Sequence, residues 1–394
     1  MARMSPSALP SAFLARYGRP AACAARAPGR VNLVGEHTDY NDGYVLPIAI
    51  EQSLWAAAAP RDDDVLRVYS DALRDRHAWP LSRGPDAGAP RWTRYVHGVA
   101  TLLRPRTPSL RGADLLIAGD LPLGGGLSSS AALEVCTALA LCGLAGCDLP
   151  LEELAAIGRA AEHEFAGVPC GLMDQYASLL SRQGCALLLD CRSRRFEHVP
   201  CRLDRHALLV VDSGVRHELA AGEYAARRRE CGEALELLRR ACPQAAALRD
   251  VTPADVAGCA ADQAPRWDAG ALRLLSRARH VVTENERTLA AAAALRAEDW
   301  PELGRLMSAS HASLRDDYQV SCAELDAIVD DLERCPGVLG ARMTGGGFGG
   351  CVVALVEERR ADRVAAQLGH AGDAAARRLV LRVRPGGGAQ RCPL

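Results

Sequence analysis

The run LPLGGGLSSSAAL extends from Leu121 to Leu133 and places three glycines before three serines. The segment ADLLIAGD before it is typical of a strand, and AALEVCTALALCGLAG after it is typical of a buried helix. The run is therefore predicted to be a loop that opens a helix. Its glycines let backbone N–H groups approach a ligand, and a helix N-terminus is an anion site, most often for phosphate. An ordinary helix capped by the hydroxyls of Ser128 to Ser130 is the alternative.

Arginine supplies all 47 basic side chains, because the 394-residue chain contains no lysine. P-loop NTPases and protein kinases both place a lysine on the nucleotide phosphates. Both classes are therefore excluded. If the glycine-serine loop binds a nucleotide, backbone amides, hydroxyls, a metal ion and arginine must neutralise its charge.

The overall composition indicates a sizeable core and small-molecule partners. The net charge of -1 gives no attraction to nucleic acid or to anionic membranes. No uncharged apolar run approaches the roughly 18 residues of a membrane span, and the N-terminus lacks the apolar core of a signal peptide. The 15 cysteines are odd in number and form no CxxC pair, which argues against a zinc site and a disulfide framework. We expect a cytoplasmic protein.

A dense polar patch, EHTDYND, occupies residues 36–42 between two strand-like runs. Glutamate, histidine and aspartate within four positions supply acceptors and a switchable donor, which suits a site for several sugar hydroxyls. A solvated loop is the alternative. Arg30, just before the run VNLVGE, is either an exposed cation or a phosphate clamp.

Two carboxylates and two aromatic residues are further candidates. Glu162 falls at the edge of a predicted amphipathic helix, as a surface carboxylate or a magnesium ligand. Asp174 follows a Pro/Gly turn, as a helix N-cap or a catalytic base. Trp92 and Tyr95 share one side of a predicted helix, a spacing that more often indicates core than a cofactor site.

Two patterns in the second part of the chain are explained by structure and do not indicate a nucleic-acid or dinucleotide site. The arginines at 227–229 are expected to form a solvated helix face. The GxGxxG pattern at Gly345 to Gly350 precedes CVVALV, which predicts a strand, whereas a dinucleotide fingerprint requires a following helix. We expect this glycine run to bring backbone close to a ligand held by another domain. A domain boundary is predicted near residue 200.

Three separated stretches, GRVNLVGEHTDYNDG, LPLGGGLSSSAA and MTGGGFGGC, together resemble the galactokinases, which are members of the GHMP group of small-molecule kinases. GEHTDYN is the galactokinase signature. The stretches AEHEFAGVPCGLMDQ, LLDCRS, VRHELAAGEYAARRREC and SLRDDYQVSC match too, so the resemblance covers nearly the whole chain. It implies an α+β fold with ligands between two domains: a ribosomal-protein-like α/β domain over residues 1–200 and a ferredoxin-like domain over residues 201–394.

The resemblance also implies an activity, the phosphorylation of the C1 hydroxyl of D-galactose by ATP and Mg²⁺. Asp174 would face that hydroxyl, with Arg30 beside it and the γ-phosphate. The implied sugar contacts are Glu36, His37, Asp39, Gly171, Asp174 and Tyr224. The implied ATP contacts are Gly124, Gly125, Gly126, Leu127, Ser128, Ser129 and Ser130 around the triphosphate, with Trp92 and Tyr95 beside adenine. Ser130 and Glu162 would hold magnesium.

Two alternatives stay open within this resemblance. A roomier pocket at sugar C2 would make the protein an N-acetylgalactosamine kinase without changing the motifs. A non-catalytic galactose and ATP sensor is the other, although such relatives carry a damaged serine loop, which is intact here. Ala132 stands where many relatives have serine, which removes one hydroxyl but no phosphate-facing amide. We expect a monomer.

Overall fold

The computed structural model describes residues 4–86, 88–215, 220–263, 267–370 and 378–393. Within these ranges the chain builds two lobes. The first lobe contains a six-stranded and a three-stranded sheet, and the second lobe contains a four-stranded sheet. In the part of the chain described here, no helix is both long and apolar enough to cross a membrane.

The six-stranded sheet forms the floor of the first lobe. Its strands are β1 (Cys23–Asn32), β3 (Pro47–Arg61), β4 (Val65–Ser70), β5 (Asp75–Pro80), β6 (Gly112–Gly119) and β13 (Gln390–Cys392). Their order is β13-β1-β3-β6-β4-β5, and only the pairing of β4 with β6 is parallel. The smaller sheet has the order β2-β7-β8, from β2 (Tyr44–Val45), β7 (Cys185–Asp190) and β8 (Phe196–Pro200).

One helix lies at the centre of the first lobe. The helices are α1 (Leu9–Tyr17), α2 (Arg91–Leu103), α3 (Ser129–Ala145), α4 (Leu151–Glu164) and α5 (Met173–Leu180). Every residue of α3 from Ala131 to Cys142 is buried, including the polar Glu134 and Thr137, because the other side chains are small or apolar and leave no solvent-facing side. It packs on β1 and β3, with α2, α4 and α5 around it. The predicted buried helix after the serine loop is thus confirmed.

The second lobe places helices on an antiparallel sheet. The sheet has the order β10-β11-β9-β12, from β9 (His206–Asp212), β10 (Val338–Thr344), β11 (Cys351–Glu357) and β12 (Val380–Val383). The helices are α6 (Ala220–Leu238), α7 (Pro253–Gln263), α8 (Ala269–Arg296), α9 (Trp300–Ser313), α10 (Ala323–Glu333) and α11 (Ala361–His370). A π-helical turn, Leu314–Tyr318, follows α9. Residues 216–219 of the matching stretch VRHELAAGEYAARRREC lie outside the described ranges.

The glycine run at Gly345 to Gly350 connects β10 to β11, so a strand follows it as predicted and a dinucleotide fingerprint is absent there. The chain then returns to the first lobe, where β13 pairs with β1. No strand was predicted for this last segment, which the resemblance included in the domain over residues 201–394. Strand pairing between residues more than 350 positions apart leaves no local signal in a short run such as QRC.

Buried hydrogen bonds join the two lobes beside the cleft. The Asn32 backbone N–H donates to Thr344 Oγ1 at 3.0 Å, and Arg342 Nη1 donates to the Asn32 carbonyl at 2.9 Å. The Gly345 N–H donates to Glu36 Oε1 at 2.7 Å. Because buried polar groups lose stability when they are left unpaired, these contacts favour one relative placement of the two lobes.

Candidate active site

Arg30 and Asp174 form a two-pronged ion pair at the centre of the cleft. Arg30 Nε lies 2.7 Å from Asp174 Oδ1, and Nη2 lies 2.9 Å from Oδ2. Arg30 belongs to β1 and is 4% exposed, and its Nη1 also donates to the Gly126 carbonyl at 2.6 Å. Burial alone would lower the pKa of Arg30, but the charges of Asp174 and Glu36 raise it overall. The guanidinium is therefore a fixed positive charge between the loop and the carboxylate.

Asp174 is the second residue of α5, whose N-cap is Leu172, so the N-cap alternative for Asp174 is wrong. Its carboxylate is free to face the cleft. Besides Arg30, it accepts a hydrogen bond from the Ser128 hydroxyl at 2.6 Å. Charge-assisted contacts of this kind hold a carboxylate in one orientation.

The serine loop takes an unexpected conformation at Ser128. This residue is the N-cap of α3 with φ 57° and ψ 45°, and it makes no side-chain cap. The prediction of hydroxyl capping is therefore wrong at the N-cap, because the left-handed turn directs the hydroxyl to Asp174. The first N–H groups of α3 gain no hydroxyl partner from the N-cap, which suits a phosphate site.

The two glycine runs meet backbone to backbone. A Cβ at Gly345 would lie 2.9 Å from the Gly126 carbonyl oxygen, and Gly345 has φ 93°. Both the close approach and the positive φ require glycine at position 345. The second lobe thus closes directly over the serine loop.

An apolar cavity of about 350 Å³ opens beside the loop. Leu54, Ile117 and Leu133 contribute to its walls, and Gly124, Ser129 and Ser130 stand at the loop end. Trp92 and Tyr95 also line it while they pack against the main core. The Trp92 indole N–H donates to Asp75 Oδ2 at 3.1 Å, which orients the ring.

A smaller, polar cavity of about 140 Å³ is lined by the ion pair itself. The structure brings together all six residues that the resemblance assigned to the sugar. They line this cavity with Arg30, Glu162, Cys170 and Gly346. Four stretches of chain distant in sequence therefore converge on one small space: β1 with the loop after it, the stretch from the end of α4 to the start of α5, α6, and the glycine run.

Glu36 is held by the second lobe, whereas His37 contacts its near neighbour Tyr40 in the first. Glu36 is 1% exposed and accepts hydrogen bonds from the Gly345 N–H and, at 3.2 Å, from Thr344 Oγ1. His37 has φ 62°, and its Nδ1 lies 2.8 Å from the Tyr40 hydroxyl oxygen. Burial, followed by the charge of His280, lowers the pKa of His37 to about 3. His37 is therefore neutral near pH 7.

Asp39 reaches the same cavity and closely approaches Gly171. A Cβ at Gly171 would lie 1.7 Å from Asp39 Oδ2, so only glycine fits beside this carboxylate. The Tyr40 N–H donates to Asp39 Oδ1 at 3.0 Å. Burial and the nearby Asp174 charge raise the pKa of Asp39 to about 6.

Glu162 and Ser130 are the residues that could hold a metal ion. Glu162 is 5% exposed; burial and Asp174 raise its pKa to about 7, while the Cys170 and Ser130 side chains lower it. A carboxylate and a hydroxyl are hard oxygen donors of the kind that magnesium prefers. Among the described residues, no group of three or more His, Cys, Asp or Glu could hold a metal. The pair therefore fits an ion that takes its other ligands from phosphate and water.

Sequence reasoning missed two buried residues behind Glu162. Gln175 Nε2 donates to Glu162 Oε2 at 3.1 Å and to Glu134 Oε2 at 2.9 Å. Glu134 is fully buried, and burial together with Glu162 raises its pKa well above its usual range. The signal was available, because Glu134 is the one charged residue in the apolar run AALEVCTALALCGLAG.

The expectation of a solvated face at residues 227–229 is wrong for two of the three arginines. Arg227 donates to the carbonyls of Tyr318 and Gln319, each at 2.9 Å, and Arg228 donates to the Pro169 carbonyl at 2.9 Å. Only Arg229 is exposed. These contacts fasten α6 to the π-helical turn and to the segment before α5.

The position of Ala132 explains why its missing hydroxyl matters little. Ala132 is fully buried in the core cluster, and its N–H donates to the Ser128 carbonyl at 3.0 Å. A hydroxyl at this position would face the core, away from the cavity.

Three known protein families match successive parts of this chain, and all three concern galactokinases or GHMP kinases. The family described as "Galactokinase galactose-binding signature" matches residues 11–60. The GHMP kinase N-terminal and C-terminal domain families match residues 94–182 and 291–374.

Similar proteins extend this match to the full length. A galactokinase of Chloroflexus aurantiacus is 48% identical over 92% of this chain and 91% of its own length, and the human galactokinase is 45% identical over 88% and 86%. The crystal structure of Lactococcus lactis galactokinase complexed with galactose is 32% identical, with a TM-score of 0.89 over 98% of this chain and 99% of that one. A mevalonate kinase, 19% identical with a TM-score of 0.62 over 92% and 98% of the two chains, shares the fold. The chain belongs to the galactokinase family and has the two-domain GHMP kinase fold.

Proposed function

We propose that this chain transfers the γ-phosphoryl group of ATP to the C1 hydroxyl of D-galactose, as its family implies. One observation carries the proposal: the Arg30–Asp174 pair lines a polar cavity of buried acceptors and donors, and both residues hydrogen-bond to the serine loop, whose Ser129 and Ser130 line an apolar cavity. A nucleotide base suits the first cavity, and a compact polyol suits the second. The reacting groups would then meet at the ion pair.

Asp174 accepts the proton of the sugar hydroxyl as that oxygen attacks phosphorus. Arg30 keeps the carboxylate oriented through two hydrogen bonds, and its charge also offsets the negative charge that develops on the phosphoryl oxygens. Phosphoryl transfer depends mostly on such positioning and electrostatics. The deep burial of Arg30 strengthens both effects, because little water screens its charge.

The remaining residues position the two substrates. Glu36, His37, Asp39, Gly171 and Tyr224 hold the sugar, and the serine loop offers backbone N–H groups to the triphosphate. Trp92 and Tyr95 pack against the adenine. Magnesium, held by Ser130 and Glu162, would neutralise phosphate oxygens. Without lysine in the chain, this neutralisation otherwise rests on backbone amides and Arg30.

We further infer that the protein acts in the cytoplasm as a monomer, without nucleic-acid or membrane partners. The near-zero net charge supports the absence of polyanionic partners. Sedimentation of the purified protein at micromolar concentration tests the monomer, and a dimer would overturn it.

The experiment is phosphate transfer from ATP and Mg²⁺ to galactose and, in parallel, to N-acetylgalactosamine. We expect stoichiometric ADP and a sugar phosphate whose phosphorus couples to H1 in the NMR spectrum. Faster turnover of N-acetylgalactosamine than of galactose would show that the acetamido sugar, and not galactose, is the substrate. Binding of galactose and ATP without product would instead indicate a sensor and contradict the roles of Arg30 and Asp174.

A further inference from the structure

A third cavity, of about 250 Å³, lies between α4, the start of α5 and the turn that joins β7 to β8. Among the described residues, it shares none of its lining with the apolar cavity or the polar cavity. Ala156, Glu164 and Arg194 of its lining are exposed, so the cavity opens to solvent. The proposed function therefore leaves this cavity unused.

Two arginines from different segments line the cavity without an ion pair. Arg159 belongs to α4, and Arg194 belongs to the turn at residues 191–195. Within the described ranges, neither side chain makes a hydrogen bond or a salt bridge. Arg192 in the same turn, by contrast, pairs with Asp42 and Asp250. Unpaired guanidinium groups beside a cavity are ready to bind an anion, often through two parallel hydrogen bonds.

Arg159 presents its charge to the cavity from a half-buried position. Of its three guanidinium nitrogens, only Nε is fully enclosed, and Nε has no partner among the described residues. The two terminal nitrogens are therefore left to contact a ligand. Because burial keeps water away from part of the guanidinium, this charge attracts an anion more strongly than a fully exposed arginine does.

The charges of the lining leave an excess of positive charge. Among the described lining residues, Glu164 is the one carboxylate that opposes the two arginines. Burial lowers the pKa of His163, and the charge of Arg159 lowers it further, so the ring is neutral near pH 7. His163 Nε2 donates to the Cys170 carbonyl at 2.7 Å, because a carbonyl can only accept. The cavity therefore favours an anion, and the arginines supply its charge.

The remaining walls define the size and chemistry of that anion. Tyr176 also lines the cavity, and its hydroxyl makes no hydrogen bond within the described part of the chain. Two guanidinium groups and a hydroxyl match the three terminal oxygens of a phosphate ester better than the two oxygens of a carboxylate. Ala156, Ala160 and Leu172 offer apolar surface to carbon atoms. The volume lies below the about 300–1,000 Å³ of pockets for drug-sized ligands, so the ligand is compact.

We propose that this cavity is a binding site for a compact phosphate monoester, whose phosphate contacts Arg159 and Arg194. The site goes beyond the proposed function, because neither proposed substrate uses its residues. Its wall nevertheless leads to the active site. The His163 ring is hydrogen-bonded to Cys170, which lines the polar cavity, and Leu172 is the N-cap of the helix that carries Asp174. A bound ester would therefore contact the segment that leads into Asp174.

The first test is isothermal titration calorimetry of the full chain with glycerol 3-phosphate. Saturating galactose and MgADP are present, so that under the proposed function they fill the two substrate cavities. Glycerol, which lacks the charge, and glycerate, which carries a carboxylate instead, are titrated in parallel. We expect saturable binding of one glycerol 3-phosphate per chain, weaker binding of glycerate and none of glycerol. No saturable binding of glycerol 3-phosphate, or tighter binding of glycerate, would overturn the proposal.

The second test repeats the titration with charge-removing variants. Loss of a hydrogen bond to a charged group corresponds to about a 10- to 150-fold change, so Arg159→Gln should raise the dissociation constant by that factor. Arg194→Gln removes an exposed charge and should raise it about 2- to 5-fold. Glu164→Gln removes the opposing carboxylate and should lower the dissociation constant. This variant tests the site through a gain of affinity, even if an arginine variant does not fold.

Arg195→Gln is the matched control, since Arg195 is an exposed neighbour in the same turn and does not line the cavity. It should leave the dissociation constant unchanged. Equal losses in Arg194→Gln and Arg195→Gln would show that the ester responds only to overall charge, and would contradict the site. Equal affinities in Arg159→Gln and the parent would contradict it too. Absence of turnover with galactose would refute the proposed function alone, and the Arg159→Gln titration would still locate the ester.

Discussion

The apolar cavity beside the serine loop and the polar cavity lined by the Arg30–Asp174 pair are built on different principles. The larger one presents leucines, isoleucine and two aromatic rings, and its polar groups stand mainly at the loop end. The smaller one is lined by carboxylates, a neutral histidine and a tyrosine that other residues hold in place. The first can bind through buried apolar area, which tolerates changes in the ligand. The second requires matched hydrogen bonds and therefore does not tolerate changes in the ligand.

The polar cavity lowers the stability of the free protein, and the shifted pKa values of its residues show this. The polar cavity raises the pKa of Asp39 to about 6 and lowers that of His37 to about 3, mainly through burial. Such shifts mean that the folded protein holds polar groups where water solvates them poorly. A ligand that supplies hydrogen bonds relieves this cost, so the polar cavity gains selectivity at the expense of the stability of the free protein.

The largest expected effect comes from removing the carboxylate of Asp174. Asp174→Asn keeps the size of the side chain but cannot accept the hydroxyl proton, so kcat should fall about 10²- to 10⁴-fold. Galactose and ATP dissociation constants, measured by calorimetry, should change little. Asp190→Asn is the control, because Asp190 pairs with Arg249 outside both cavities. Near-normal turnover of Asp174→Asn would refute its role.

The next effect concerns the amide behind Glu162. Gln175→Leu removes both hydrogen bonds that hold Glu162 and Glu134, so affinity for the metal should fall about 10- to 100-fold. Binding of Mn²⁺ with ADP, followed by electron paramagnetic resonance, measures this without turnover. Ser178→Ala lies on the same helix and removes a buried hydrogen bond to the Pro28 carbonyl, yet it should leave metal affinity intact. Equal metal affinities in Gln175→Leu and the parent would show that the amide plays no part.

A smaller effect appears as pH-dependent stability of the free protein. The folded pKa of Asp39, about 6, lies above the ordinary value of 3.8. Its contribution to stability is therefore fully present below pH 3.8 and is lost as pH rises through 6. The side chain of Asp39→Asn cannot ionise. The free energy of unfolding of this variant, relative to that of the parent, should therefore increase by about 1–2 kcal/mol from pH 5 to pH 8.

Urea unfolding at the two pH values measures this gain. Asp250→Asn is the control, since hydrogen bonding to Arg192 lowers the pKa of Asp250 to about 2. That carboxylate is ionised at both pH values, so the difference from the parent should not change. A parent and an Asp39→Asn variant with parallel pH profiles would contradict the raised pKa.

The smallest effect belongs to the apolar cavity. Trp92→Leu keeps an apolar surface but loses the large ring, so the KM for ATP should rise about 2- to 12-fold, while galactose KM stays unchanged. Steady-state kinetics with each substrate varied in turn measures both. Trp267→Leu, in a different core cluster, is the matched control. A rise in galactose KM instead would place Trp92 on the sugar side.

Much of the fold followed from patterns in the sequence, because apolar periodicity and glycine-serine punctuation are local. The strand before the serine loop, the buried helix after it and the strand after Gly350 are where they were predicted. Strand β13 was missed, because its pairing with β1 depends on contacts between distant parts of the chain. Arg227 and Arg228 were misjudged for the same reason, since their acceptors are carbonyls of other segments.

The candidate site, like the fold, contains residues that the sequence identified and residues that it did not. The six residues assigned to the sugar through the resemblance lie together around one cavity. Helix capping by the Ser128 hydroxyl, the alternative offered for the loop, is wrong, because the choice between a backbone N–H and Asp174 depends on the left-handed turn. Gln175 could not be identified from its own position. Its importance arises from what it contacts, and sequence neighbours do not report that.

The most direct measurement of the contrast between the cavities is a comparison of kcat/KM for one altered sugar and one altered nucleotide. Glucose differs from galactose in the orientation of one hydroxyl, and GTP differs from ATP in the base. A hydrogen-bonding site rejects a mismatched ligand by about 10⁴-fold, whereas an apolar pocket discriminates by about 10- to 200-fold. We therefore expect a far greater loss with glucose than with GTP. A greater loss with GTP than with glucose would contradict the account.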